Sequence, residues 1–148
     1  MFRHRKKNQK IYATDSNARL SQSKIKEILR TVPRDKAFYF YEEIGKPTRH
    51  IATSLLDFRN KINTVQLSSL VFHLRRKDFE NWIREIIRDS ELAERISNIS
   101  PSDFDLNKKL YATVDMRIKE LREMLSTSAI VSEKLFAAPR LSDTELSR

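Results

Sequence analysis

The chain has no cysteine and only one glycine, Gly45, in 148 residues. Without cysteine there is no disulfide framework, no thiolate nucleophile and no cysteine-ligated metal, and the composition fits a reducing, cytoplasmic setting. A single glycine excludes the glycine-rich phosphate loop, the dinucleotide fingerprint and the G-x-S-x-G elbow, which each need several glycines at fixed offsets. It also argues against a many-stranded sandwich, whose tight turns draw on glycine. No apolar run reaches the ~18 residues of a membrane-spanning helix, so no integral membrane association is expected. The basic start is not followed by the apolar segment of a secretory signal. His4, His50 and His73 are the only histidines and share no ligand spacing, so neither a metal nor another cofactor is expected.

What the chain does have is charge, and it is unevenly placed. The net charge is +9; residues 1–36 hold eleven Lys or Arg against three acids, and the remainder holds eighteen against seventeen. Whatever partner the charge addresses, the amino-terminal part addresses it. Residues 1–20 are polar, basic and aperiodic, and read as a flexible arm. Arg3, Arg5, Lys6, Lys7 and Lys10 can neutralise phosphates by counterion release, and Lys24, Lys26 and Arg30 extend that surface along a first helix. Nucleic acid or a ribonucleoprotein is the partner this favours.

The rest reads as helices joined by short polar loops. Ser21 or Ser23 caps a helix with Ile25, Ile28, Leu29 and Val32 on one face, and Pro33 stops it. Ala37 to Tyr41 is the one strand signal, with Phe38 and Phe40 on one face and Tyr39 on the other. Gly45-Lys46-Pro47 turns the chain towards a second strand near Arg49–Thr53, and the hairpin must lie on helices to persist. Its aromatics fit a core better than a base-stacking platform. Ser54-x-x-Asp57 resembles a capping box ahead of Leu55, Phe58, Ile62 and Val65. Leu67, Leu70, Val71 and Leu74 form the next stripe. After Arg75-Arg76-Lys77, Asp78 reads as the N-cap of a helix burying Phe79, Trp82, Ile83 and Ile86. Asp89 or Ser90 opens a short helix with Leu92, Ala93 and Ile96. Leu106 to Leu125 is a longer helix whose Tyr111, Val114, Ile118, Leu121 and Leu125 form a heptad seam of about two repeats. That seam either docks on the body or pairs with a second copy, making it a candidate protein-interaction or oligomerisation surface. Residues 126–148 read as a mostly flexible, frayed tail.

The expected fold is thus mainly α (α+β): a compact multi-helix domain over residues 21–125 with one small aromatic β-hairpin. The stretch from Phe72 to Arg84 also resembles a family of uncharacterised small archaeal and bacterial proteins with an F-H-x-x-R-x-D-F-x-x-W-[IV]-R pattern before a D-x-x-L-A helix. Phe72, His73, Asp78, Phe79, Trp82, Ile83, Arg84, Leu92 and Ala93 occupy its pattern positions, and Lys77 stands where the family often has glycine. The resemblance implies a free-standing or accessory module, residues 37–99, and carries no activity. His73 beside Asp78 is the nearest thing to an acid–base pair, yet five residues apart around a turn they read as a half-buried histidine and a helix cap. No catalytic residue is assigned, and the expected function is a non-enzymatic basic binding protein.

Overall fold

The structure, a computed structural model, describes residues 20–146. In order come α1 (Gln22–Ile28), a 3-10 turn (Arg34–Lys36), β1 (Phe38–Glu43), β2 (Lys46–Ala52), α2 (Leu55–Ile62), α3 (Leu67–Arg76), α4 (Asp78–Trp82), a π-turn (Ile83–Ile87), α5 (Ser90–Ser97) and α6 (Leu106–Leu146). The protein is mainly α with one two-stranded antiparallel hairpin, as the periodicities predict. The described residues divide into two compact units, residues 26–120 and residues 20–25 with 121–146. The first unit lies wholly within the expected domain of residues 21–125.

Local chemistry accounts for most element ends. Ser21 Oγ accepts from Lys24 N–H at 3.1 Å and starts α1. Ser54 Oγ accepts from Asp57 N–H at 3.0 Å, and Asp57 Oδ2 reaches back to Thr53 N–H at 3.1 Å, so the expected capping box forms one residue wide of the usual return contact. Asp89 caps α5 by accepting from Leu92 N–H. α6 does not stop at Leu125, where the sequence pattern ends it; it continues to Leu146 and carries Pro139 within it. Between Ser126 and Ala138 there is neither glycine nor proline to withdraw a helical hydrogen bond.

The hairpin turns at Gly45, whose φ of +78° suits a residue without Cβ. β2 therefore begins at Lys46, earlier than the sequence predicts. Pairing runs Phe38 to Ala52 and Tyr39 to Ile51, then skips to Tyr41 with Pro47. The extra β2 residues make a bulge in which Arg49 takes a φ of +72°. Thr48 Oγ1 stitches it by donating to the Phe40 carbonyl at 2.8 Å.

Phe38 and Phe40 point inward while Tyr39 is 45% exposed. The inner rings meet Phe58 of α2 and Phe79 and Trp82 of α4 at centroid separations from 4.9 to 6.1 Å. Each such pair adds about 0.5–1.5 kcal/mol beyond its area burial, so this cluster holds the hairpin to the helices. The hairpin aromatics thus fill a core. Trp82 Nε1 donates to the Lys36 carbonyl at 2.8 Å and pins the 3-10 turn to it.

One stripe departs from its expected phase. Ile87, not Ile86, is fully buried. Arg88 N–H donates to the Ile83 carbonyl at 2.8 Å, five residues back, and this wider turn advances the helix phase by one position.

Candidate functional site

A cleft of about 420 Å³ lies in the 26–120 unit between the hairpin and α3–α4, lined by Tyr39, Tyr41, Phe72, His73, Asp78 and Trp82 among others. His73 lies at its base and is only 3% exposed. Nε2 accepts from Tyr41 N–H at 2.7 Å, and Nδ1 lies 2.8 Å from Asp78 Oδ2. A backbone amide has only a proton to offer, so Nε2 is the bare nitrogen and Nδ1–H donates to the carboxylate. Burial lowers the His73 pKa below 6.5 against the opposing pull of the Asp78 hydrogen bond and charge, which keeps the ring neutral. Ser69 Oγ donates to the Tyr41 carbonyl at 2.8 Å. Together Ser69 and His73 satisfy both backbone groups of Tyr41 and close the outer edge of β1.

This corrects the sequence reading of Asp78. It is the first residue of α4, and its side chain makes no cap; it accepts from His73 and, at 3.0 Å, from Arg76 Nε. The N-cap is Lys77, which also closes α3 with a left-handed φ of +63°. A left-handed position of this kind is one that glycine suits best. In this arrangement neither ring nitrogen of His73 is left for a substrate, and the pair acts as a latch between β1 and α4.

The expected anion-binding residues fare differently from one another. Arg3, Arg5, Lys6, Lys7 and Lys10 lie outside the described residues. Lys26 is exposed and Lys24 half-buried on α1. Arg30 departs from the expectation of a solvated cation: its guanidinium turns inward and donates to the carbonyls of Glu27 at 2.6 Å and Ile86 at 2.7 Å. It caps the π-turn, whose carbonyls lack regular partners.

The residues of the heptad seam differ in burial. Val114, Ile118 and Leu121 are fully buried, and Tyr111 and Leu125 are half-buried. Tyr111 stacks beneath Arg59, whose Cζ stands 5.7 Å from the ring centroid and whose Nη1 binds Asp115 Oδ1 at 2.8 Å. Within the 26–120 unit Val114 and Ile118 therefore serve the core.

Two functional-looking groups escape the sequence reading. Arg117 and Asp89 form a buried ion pair with Nε–Oδ2 at 2.8 Å and Nη2–Oδ1 at 3.0 Å. Arg117 also touches Glu120, which Arg95 grips through two bonds of 2.9 Å, chiefly lowering the Glu120 pKa. These arginines hold α5 to α6 and are structural. The second is a groove of about 730 Å³ beside the cleft, lined by Glu42, Ile44, Leu67, Val71, Phe72 and Arg75 with others. No periodicity flags it, because Leu67 and Val71 read as core.

Among the described residues no three His, Asp or Glu group as a metal would require, and no helix is long and apolar enough to cross a membrane. Fold and cleft thus define a mainly α unit with a hairpin latched by a neutral histidine. No protein-family model, curated protein or solved structure matches the chain.

Proposed function

We propose that the protein is a non-enzymatic cytoplasmic binding protein whose amino-terminal face meets nucleic acid, free or within a ribonucleoprotein. The observation that carries this reading is that residues 1–36 hold eight of the nine net positive charges. Lys26, Arg34 and Lys36 are exposed and make no ion pair among the described residues. By contrast Arg59, Arg95 and Arg117, later in the chain, are each tied to a carboxylate. The commitment of both His73 nitrogens supports a binding role over acid–base catalysis at the cleft. The pattern from Phe72 to Arg84 supports membership of the domain family it resembles, and that family brings no activity with it.

The test is the salt dependence of affinity for a single-stranded RNA and for duplex DNA, read by fluorescence anisotropy. Replacing Arg3, Arg5, Lys6, Lys7 and Lys10 by glutamine is expected to weaken binding. It should also flatten the log–log salt slope by roughly 0.7 to 0.9 for each phosphate that is no longer neutralised. Binding that ignores salt, or that is unchanged in the glutamine variant, overturns the proposal.

A further inference from the structure

The groove beside the cleft combines features that a solvated surface does not need. Ile44, at the hairpin tip, is 82% exposed, and Leu67, at the start of α3, is 56% exposed. Val71 and Phe72 are half-buried and line the same groove as those two aliphatic side chains, giving a continuous apolar strip with nothing of the described chain upon it. Three of these four apolar side chains are aliphatic, which offers less stacking surface to nucleobases than an aromatic platform does.

Its polar rim is charged in one sense. Glu42 is taken by Lys46 at 3.2 Å. Asp78 is taken by His73 and Arg76. Arg75 is exposed and makes no ion pair among the described residues. Arg76 is oriented before anything binds: Nε is anchored on Asp78 Oδ2 at 3.0 Å, and Cζ stands 5.2 Å from the Phe72 ring centroid. Its two Nη groups carry no hydrogen bond among the described residues, which leaves the fork that grips a carboxylate through parallel bonds. A cation held by a ring and one carboxylate loses less freedom when a second carboxylate arrives.

We propose that this groove docks an amphipathic, acidic segment of a protein partner. Its apolar side chains would lie against Ile44, Leu67, Val71 and Phe72, and a carboxylate at its edge would meet Arg76 and Arg75. Apolar anchors at helical spacing flanked by acids suit a groove of this shape and charge. None of the residues lining the groove belongs to residues 1–36, so the proposal stands or falls independently of the nucleic-acid reading.

The experiment is selection of a phage-displayed random 16-residue peptide library (~16 residues spans about four helical turns) on the full-length protein. The Leu67→Ser variant serves as the counter-selection target. The expected result is a set of enriched peptides sharing apolar residues at helical spacing with Asp or Glu beside them. Their synthetic forms should bind about tenfold more weakly to Arg76→Glu and to Ile44→Ser. All three positions are largely exposed, and unchanged far-ultraviolet circular dichroism confirms that the variants fold. Lysine in place of the peptide acids should abolish binding to the parent and restore part of it to Arg76→Glu. The proposal is overturned by no enrichment over the Leu67→Ser target, by enriched peptides without acids, or by binding that ignores all three substitutions. Light scattering that shows a dimer dissolved by Leu67→Ser also overturns it, by making a second copy of the chain the occupant.

Discussion

His73 joins the hairpin to α4 through both ring nitrogens, so its protonation state and the docking of β1 are one equilibrium. A proton on Nε2 would face the Tyr41 N–H and break that bond. The native ring resists protonation because it is buried, whereas an unfolded histidine titrates near 6.5. Between the lowered native value and 6.5 the unfolded chain binds the extra proton, so stability falls as pH drops through 6.5 and levels off below the native value. Melting temperature should be lower at pH 5.5 than at pH 7.5, and His73→Gln should shrink that difference even if it lowers both values. An equal pH dependence in His73→Gln would refute the latch. Lys77 makes a different point at the same scale. Its left-handed φ of +63° strains a side chain with Cβ, so Lys77→Gly should raise unfolding free energy by about 0.5–1 kcal/mol in urea titrations. Arg88, at +77°, closes the π-turn in the same way.

The fit between α5 and α6 rests on a charge that is almost wholly out of water. Arg117 is 5% and Asp89 2% exposed, and Asp89 serves both the arginine and the α5 cap. Arg117→Ala should cost about 3–5 kcal/mol, because it leaves a carboxylate buried and unpaired. Arg117→Met with Asp89→Ser, which removes both charges and keeps a capping oxygen, should recover part of that loss in the same denaturation experiment. Elements also mark where the sequence is readable and where it is not. Ser54 with Asp57 is a local pattern with one physical outcome, and the structure follows it. Asp78 reads as a cap because an acid before an apolar run looks the same whether it caps its own helix or bonds a histidine in the preceding one. Arg30 looks like surface for a related reason: its acceptors, the carbonyls of Ile86 and Ile87, are more than fifty residues away in the chain. The phase slip from Ile86 to Ile87 needs a single i→i+5 bond that no helical period contains.

At the scale of the whole molecule, the charge asymmetry is plain in the sequence, while the apolar groove is hidden by the same periodicity that reveals the helices. Leu67 and Val71 extend the Leu70–Leu74 stripe, and only the direction of α3 against the hairpin decides which of the four stay outside. The burial of Ile118 has a measurable consequence for assembly. Ile118→Glu should destabilise the fold by several kcal/mol, since it places a carboxylate where no partner is available. A variant that unfolds as cooperatively and as late as the parent but shifts from dimer to monomer would make the seam an oligomer interface.

Trp82 is the chain's only tryptophan, and its indole N–H is bonded to the Lys36 carbonyl across the aromatic cluster. The molecule therefore carries its own optical reporter at the seat of the hairpin. Emission from one buried indole tracks the joint between the 3-10 turn and α4 without label or background. If that joint opens before the α5–α6 pairing, the fluorescence transition should precede the loss of helical ellipticity, and a two-state unfolding would bring the two together.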